Sequence, residues 1–393
     1  MPKSEIERVR SELKEREKLE KILDNLMNQG EDIQSSFSKR NNELTGYLMS
    51  GNTIVAKVKN DKIIWKNTRK CPLILLKSDY LTPFLLKRVI DSSRPNSRLI
   101  KKAMNISKTV SEEKIPLIVH GAVITDNYWF RPSGSNLVYQ DIKFKHDTYF
   151  DLSLKGDTRL VPKHPKKSPQ ITLIGSYEKC WKLINKEWWL YKVGTKEEIF
   201  SEVFASKFAE EIGVPTAFYE QEGKYIRTKN LAEDFNFEPM SFLAGEDDSY
   251  ENVFNVCRKV SDEIAMQYIQ LAYFDALIEN VDRHNENLGF LRDKRTGKIL
   301  ALAPNFDNNL CLIARTKVLN EDREHYGMLH NFVKFLKTNS VAFEFFKKLE
   351  LVEVNSYVLK NSFNLSKAKV YNENIANFLI NGYKCLKSLQ NLN

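Results

Sequence analysis

Two short stretches constrain this chain more than any others. Residues 279–291 read ENVDRHNENLGFL, and residues 303–310 read APNFDNNL. The spacing predicts a polar loop over Asp282–Asn287 at the end of a long apolar helix (258–280). A short strand follows over Leu288–Leu291, then a turn over 292–298 with Gly297, then a second strand over 299–303. Paired as a hairpin, these strands would return Asp307 to the side of Asn287 although the two are far apart in sequence.

Two carboxylates and a carboxamide would then converge, with His284 behind them. Burying such a cluster is costly unless a cation or a donor offsets the charge. Oxygen donors without cysteine suit Mg²⁺ or Mn²⁺, and Mg²⁺ is commonly held by one or two carboxylates together with substrate phosphates. Asn287 and Asp307 suit the metal. Asp282, earlier in the loop, suits a base that takes a proton from an attacking hydroxyl. Protein kinases divide the labour in this way, with one Asp orienting the nucleophile and an Asn and a later Asp on the metals. Any one of these residues alone reads as a capped turn; the pattern as a whole points to function.

The bulk properties are those of a soluble globular protein. The 393 residues are 42% hydrophobic and 28% charged, with no apolar run long enough for a membrane span and no secretory signal in the charged N-terminus. A cytoplasmic location is expected. The five cysteines form no CxxC pair, which argues for reduced thiols rather than disulfides or a zinc site. A net charge of +9 favours acidic partners, nucleic acid among them, and equally fits a lysine-rich solvated surface.

Along the chain, Ser4 with Glu7 makes a capping box, and Ile6, Val9, Leu13, Leu19, Ile22, Leu23 and Leu26 give a helical rhythm, so 1–35 is expected as a charged helix. NTIVAKVKNDKIIWKN reads as strand, turn, strand; SDYLTPFLLKRVI reads as helix; KIPLIVHGAVITDNYWFRP reads as strand with aromatic-rich loops. Between them Lys87, Arg88, Arg94, Arg98, Lys101 and Lys102 form a basic run suited to phosphate contact or to solvent. VPKHPKKSPQ (161–170) is the expected linker.

A phosphate cradle is expected after the linker. ITLIGSYEKCWKLI and EWWLYKVG read as two strands, with Gly175 and Ser176 in a turn able to present backbone N–H groups to an anion. Lys192 lies in an otherwise apolar strand and must reach water or an anion. The helix EEIFSEVFASKFAEEIG ends at Gly213 and places Glu202 on a face with Ala205, Ser206 and Ala209, small enough to approach a sheet. A pair of Lys192 with Glu202 would aim the ammonium at phosphates. The short strand YIRTKNLA puts the backbone of Ile226–Thr228 where an adenine edge would be read. Residues 328–390 read as helical.

These motifs resemble those of the HipA-like serine/threonine kinases: G-S-Y-E-K (175–179) as phosphate loop, Y-K (191–192), the helix S-E-x-F-A-S-K-F-A-E-E-I-G (201–213), D-R-H-N-E-N (282–287) as catalytic loop and A-P-N-F-D-N (303–308) as metal-binding segment. The resemblance runs from about 170 to the C-terminus. It implies an α+β, bilobal protein-kinase-like fold, with a small β-rich N-lobe (166–228) and a helical C-lobe (229–393), preceded by the helix and a mixed α/β accessory subdomain (36–165). It also implies ATP- and Mg²⁺-dependent phosphorylation of a protein Ser or Thr. In that scheme Asp282 is the base, with His284 and Asn287 in the catalytic loop. Asn287 and Asp307 bind metal; Gly175, Ser176, Lys179, Lys192, Glu202, Ile226 and Thr228 hold the nucleotide. The family further suggests autophosphorylation at Thr172 or Ser176 and a toxin restrained by a DNA-binding antitoxin. Asp307 is followed by Asn-Asn rather than Gly, and no A-P-E segment is present, which counts against control by an activation segment. Two other readings are a lipid or small-molecule kinase and a non-catalytic nucleotide-binding or nucleic-acid-associated protein.

Overall fold

The structure is a computed structural model that describes residues 44–159, 161–162, 166–314, 319, 323, 325–367 and 373–392. The expected helix at 1–35 and residues 163–165 of the expected linker lie outside these. The chain divides into two compact units, Met1–Val193 and Gly194–Asn393.

In the first unit, strands β1 (Gly46–Ser50), β2 (Thr53–Lys59), β3 (Lys62–Lys66) and β4 (Tyr128–Pro132) form an antiparallel sheet in the order β3-β2-β1-β4. Asn60 and Asp61, with φ of 50° and 69°, make the two-residue turn that the NDK tripeptide calls for. The Asp61 carboxylate then accepts the Thr82 N–H at 2.8 Å and its hydroxyl at 2.9 Å, fixing helix α1 (Thr82–Leu86). The inner strands β1 and β4 are covered on both faces, whereas β2 and β3 leave Ile54, Ile64 and Trp65 exposed. Neighbours on β4 serve opposite sides, Tyr128 packing with Leu48, Val55 and Phe84, and Trp129 with Ile100, Tyr149 and Leu152. The second core takes in helices α2 (Ser97–Ala103), α3 (Tyr139–Ile142) and α4 (Phe150–Lys155). Strands β5 (Lys179–Ile184) and β6 (Glu187–Val193) form a hairpin in the same unit.

Three expectations change here. KIPLIVHG is not strand: it makes 3-10 turns at Glu112–Lys114 and Pro116–Val119, ending at His120 with φ 57°. Pro116 lacks the N–H a ladder needs. Before β5, Pro169–Thr172 is a 3-10 turn whose Ser168 hydroxyl accepts the Gln170 N–H at 3.3 Å, again where a strand was expected. The basic run 87–102 is not one surface patch. Arg88 turns inward to a buried pair with Asp126 and stacks 3.9 Å from the Phe84 ring centroid, and Arg94 is 1% exposed. Of the six cations, Lys87 and Arg98 are exposed, and Lys101 and Lys102 are half-buried.

The second unit opens with helix α5 (Lys196–Glu211), closed at its N-terminus by a Thr195–Glu198 capping box and followed by Gly213 in the left-handed region at φ 70°. Hairpin β7 (Tyr219–Glu222) and β8 (Tyr225–Lys229) follows, then β9 (Phe235–Pro239), which pairs with β10 (Gly289–Asp293) and through it with β11 (Ile299–Leu302). Gly289 is required in this pairing, because a Cβ there would meet the Pro239 Cα at 2.9 Å and the Phe237 ring at 2.8 Å. Buried Arg292 on β10 pairs with Glu238 on β9. Short helix α6 (Ser241–Ala244) leads to α7 (Tyr250–Val260) and α8 (Asp262–Ile278), so the single helix expected over 258–280 is broken at Ser261. Ser261 is extended, and its hydroxyl accepts the Ile264 N–H at 3.2 Å as an N-cap. Helices α9 (Gly327–Thr338), α10 (Ser340–Lys347), α11 (Ser356–Leu365) and α12 (Glu373–Gln390) complete it. Among the described residues no helix is long and apolar enough to cross a membrane.

His120 gives the first unit an acid sensitivity. Burial, with the charge of Lys167, pushes its imidazole down to about 4 against the opposing carbonyl of Phe130. The folded state therefore favours neutral imidazole. The stability His120 contributes is full above the unfolded value of about 6.5 and is lost as pH falls toward the folded one. His120→Asn tolerates the left-handed backbone and does not titrate. Denaturant midpoints near pH 7 and near pH 5 should differ less in that variant than in the parent; an equal difference would show that another group controls the acid limb.

Candidate functional site

The centre of the second unit is built around a carboxylate where an apolar helix can least accommodate one. Asp275 lies in the last turn of α8, 1% exposed, at the helix end whose free carbonyls repel negative charge. Arg283 answers it in a fork, Nε to Oδ2 at 2.8 Å and Nη2 to Oδ1 at 3.0 Å, and Asn280 donates to Oδ1 at 2.9 Å. Burial opposes the Arg283 charge, yet Asp275, joined by Asp307 and Glu202, raises its pKa above the ordinary value.

The remaining Arg283 donors tie two loops together. Nη1 donates to the Asn287 carbonyl and, at 2.7 Å, to the Phe306 carbonyl; Nη2 donates to Oδ1 of Asn308 at 2.8 Å and of Asn305 at 3.2 Å. The loop 282–287 and the segment 305–308 thus lie side by side, each gripped by one guanidinium. The expected hairpin holds as well, with Phe290 opposite Leu302 and Leu291 opposite Ala301. It is extended by the Ala303 N–H on the Gly289 carbonyl at 2.8 Å.

Within the first loop, Asn287 spends its amide N–H on the Asp282 carbonyl at 3.1 Å, which leaves its Oδ1 as the acceptor end of a fixed side chain. Asp282 is half-buried, its N–H on Asn280 Oδ1 at 3.4 Å. His284 turns inward on its own loop, where Nδ1 accepts the Glu286 N–H at 3.2 Å and the carbonyl accepts that of Asn287 at 2.8 Å. Its ring shapes the loop.

The second segment is pinned from three directions. Asn305 exchanges backbone bonds with Pro215 and Ala217, each 2.8 Å. Phe306 packs edge-on against Phe237 with centroids 5.5 Å apart. Asp307 adopts φ 62°, a conformation Asp tolerates better than most side chains, and donates its N–H to the Tyr219 hydroxyl at 3.3 Å. Glu202, fully buried on α5, accepts the Asn308 N–H at 2.8 Å. The small-residue face expected around Glu202 is real: Ala205, Ser206 and Ala209 are buried with it, and the Ser206 hydroxyl donates to the Ala217 carbonyl at 2.9 Å.

Of the expected nucleotide contacts in this unit, Ile226 packs its side chain into the core with Ile199, Val203 and Tyr219, and Thr228 is buried opposite Tyr219 on the β7–β8 ladder. The other contacts lie in the first unit. Gly175 has φ 106°, and the Lys179 side chain folds over it so closely that a Cβ would meet Lys179 Cε at 2.9 Å. Lys179 is directly opposite Lys192 in the β5–β6 ladder, and Lys192 is 5% exposed. Two cationic residues at one ladder position make a place where an anionic group is favoured. Ser176 is exposed, whereas Thr172 is buried with its hydroxyl on the Ala122 carbonyl at 3.0 Å. Ser176 is thus the accessible hydroxyl of the two.

The oxygen donors present fit a hard divalent ion. Asn287 Oδ1 is oriented by its own amide bond, and Asp307 is held by a constrained backbone. Among the described residues no group of three or more His, Cys, Asp and Glu forms a metal cage. One amide and one carboxylate suit Mg²⁺, which usually keeps waters or phosphate oxygens for the rest of its shell.

Comparison with known proteins shows a likeness of fold. No protein-family model and no curated protein matches the chain. Among solved structures, a chain of the Shewanella oneidensis MR-1 toxin–antitoxin complex of HipA, HipB and operator DNA superposes with a TM-score of 0.55. That match has 12% identity over 88% of this chain and 96% of that one. The Helicobacter pylori proinflammatory kinase CtkA matches 53% of this chain and 90% of its own at 15% identity, with a TM-score of 0.35, too low to support an argument.

Sequence reasoning placed Asp282, Asn287 and Asp307 and missed what unites them: Arg283, Asp275, Asn280, Asn305 and Asn308. One signal was available. A lone carboxylate in the apolar run LAYFDALI demands a buried partner, and the nearest cation past the helix end is Arg283. Arg283→Met strands Asp275 and should cost about 3–5 kcal/mol in denaturant unfolding, whereas Asp275→Asn combined with Arg283→Met should recover part of that loss. A single Arg283→Met variant as stable as the parent would show that the fork does not hold the loops.

Proposed function

We propose that this chain is an ATP- and Mg²⁺-dependent kinase of protein Ser or Thr residues with a bilobal, HipA-like architecture. One observation carries the reading: the Arg283 guanidinium binds the carbonyls of Asn287 and Phe306 at once, so the loop bearing Asp282 and Asn287 lies beside the segment bearing Asp307. The fold likeness supports it, as do the opposed lysines Lys179 and Lys192.

In this reading Asn287 Oδ1 and the Asp307 carboxylate hold Mg²⁺, and Gly175, Ser176, Lys179 and Lys192 take the phosphates, with the backbone at Ile226–Thr228 at the adenine. ATP supplies the transferred phosphoryl group, and Mg²⁺ neutralises the charge that develops on it. Asp282 would orient the acceptor hydroxyl and take its proton as the oxygen bonds to the γ-phosphorus and the bond from that phosphorus to the bridging oxygen breaks, releasing ADP. Asn287, by bonding the Asp282 carbonyl, keeps base and metal ligand in fixed register. Glu202 sets the Asp307 turn through the Asn308 N–H. His284 shapes the loop and touches no reacting atom in this scheme. The superposed chain belongs to a complex with HipB and operator DNA; a small DNA-binding partner for this chain is part of the proposal, as is phosphorylation of Ser176.

Transfer of radiolabel from ATP to a generic protein acceptor, with and without Mg²⁺, is the decisive assay. Asp282→Asn should lower the rate about 10²–10⁴-fold with the fold intact. Asp307→Ala should remove both transfer and the Mg²⁺ dependence of nucleotide binding. Full transfer by Asp282→Asn would refute the assignment of the base, and labelling of lipid but not protein acceptors would redirect the substrate class.

A further inference from the structure

Among the described residues, the interior of the first unit contains one guanidinium that no carboxylate meets in a hydrogen bond and that the proposed chemistry does not use. Arg94 is 1% exposed, and its Nε, Nη1 and Nη2 have no hydrogen-bond partner among the described residues. Elsewhere buried arginines are answered: Arg88 by Asp126, Arg283 by Asp275, Arg292 by Glu238 and Arg323 by Glu279. Arg94 is different in kind.

The surroundings show why it stays unanswered. Asp91, three residues earlier, directs Oδ1 at the Ser93 N–H (2.8 Å) and hydroxyl (2.7 Å). Arg94 sits in a turn, its N–H on the Asp91 carbonyl at 3.2 Å and its carbonyl accepting the Ser97 N–H at 3.1 Å. Asn96 donates to the Ser153 carbonyl at 3.1 Å, which anchors the segment to α4. Burial pushes the Cys180 thiol up, so that it stays neutral and supplies no counter-charge. Burial also lowers the guanidinium, to about 10, against the pull of the Glu178 and Asp91 carboxylates, and the group remains charged at neutral pH.

Its position is the second observation. Side chains alternate along β5, so Cys180 and Lys179 point to opposite faces of the β5–β6 hairpin. On the rear face Cys180 pairs across the ladder with Tyr191, whose ring meets Phe150 of α4 edge-on at 5.1 Å. On the front face Lys179 opposes Lys192. The Ile90 N–H bonds the Ile171 carbonyl at 2.8 Å, which sets the segment bearing Arg94 beside the chain leading into the Gly175 turn, and Asn96 ties the same segment to α4 behind the hairpin.

We propose that Arg94 is an electrostatic positioning residue for a polyphosphate bound at the Gly175–Lys179 turn, its charge, which no hydrogen-bonded carboxylate answers, adding to that of the front-face lysines. The inference rests on the phosphate-loop part of the proposed function and not on the transfer step. A buried charge with no carboxylate in hydrogen-bond contact is weakly screened, so its field reaches a nearby anion where that of a paired arginine would largely cancel. The arrangement exchanges stability for affinity, because replacing an unpaired buried cation with an apolar side chain relieves its desolvation.

Two signs therefore oppose each other in one variant. Arg94→Met should bind ADP and inorganic tripolyphosphate about tenfold more weakly than the parent in calorimetry, with adenosine binding unchanged, and should unfold at a higher temperature. Arg94→Lys should restore most of the polyphosphate affinity, and Arg94→Gln, neutral and polar, should behave like Met if the Met variant does not fold. Equal ADP and tripolyphosphate affinity in parent and Arg94→Met, or a lower unfolding temperature with affinity intact, would overturn the proposal while leaving the kinase reading in place. A parent that binds ADP in an Arg94-dependent way yet transfers no phosphate would overturn the kinase reading and leave this one standing. Absence of any polyphosphate binding by the parent would overturn this inference directly.

Discussion

The second unit depends on how a single negative charge inside it is neutralised. Asp275 sits where the helix dipole, the low dielectric and the apolar neighbours all oppose a carboxylate. Arg283 resolves this with two of its donors and keeps the others for backbone and amide oxygens. Because a guanidinium is planar and rigid, satisfying Asp275 also dictates where the Asn287 and Phe306 carbonyls must be. The geometry of the candidate site follows from that requirement. Asp282, Asn287 and Asp307 are brought to one place by a residue that, in this scheme, need touch neither substrate nor metal.

The local conformations around the clamp are consistent with it at every level. Glu279 closes α8 in a left-handed turn (φ 52°), and its carboxylate meets Arg323 at 3.0 Å and the Met328 N–H at 2.7 Å. Gly289 lets β9 and β10 approach just beyond Asn287. Asp307 accepts a positive φ, and its neighbour Asn308 uses both the main chain and Oδ1 to join α5 to the clamp. The molecule pairs its buried charges in this unit with little left over, and the contrast with Arg94 in the first unit gives that residue its meaning.

How much of this could be read beforehand depended on the range of the interaction. The hairpin around 289–302 was legible because apolar runs flank a polar turn ending in Gly297, and α5 because its apolar spacing stops at Gly213 with Pro215 beyond. The break at Ser261 was hidden inside an unbroken apolar rhythm, since one serine can cap a helix or ride within it and only its extended backbone decides. The 3-10 turn at 116–119 is rich in Ile, Leu and Val, and that at 169–172 runs into ITLI, so both mimic strands; their prolines were the contrary evidence. Arg88 and Arg94 looked like surface cations because charge in a run says nothing about which side chains find an interior.

The amino-acid order alone determined the short-range features: the turn at Asn60–Asp61, the strand alternation, the helix ends and the spacing that lets Asp307 return to Asn287. These need only backbone sterics and the burial of apolar side chains a few residues apart. The tertiary structure decided which charges meet. Arg283 on Asp275, Arg88 on Asp126 and Arg94 on no carboxylate are outcomes of how distant segments exclude water from one another. A charge is priced by its whole surroundings, which no local stretch of sequence contains.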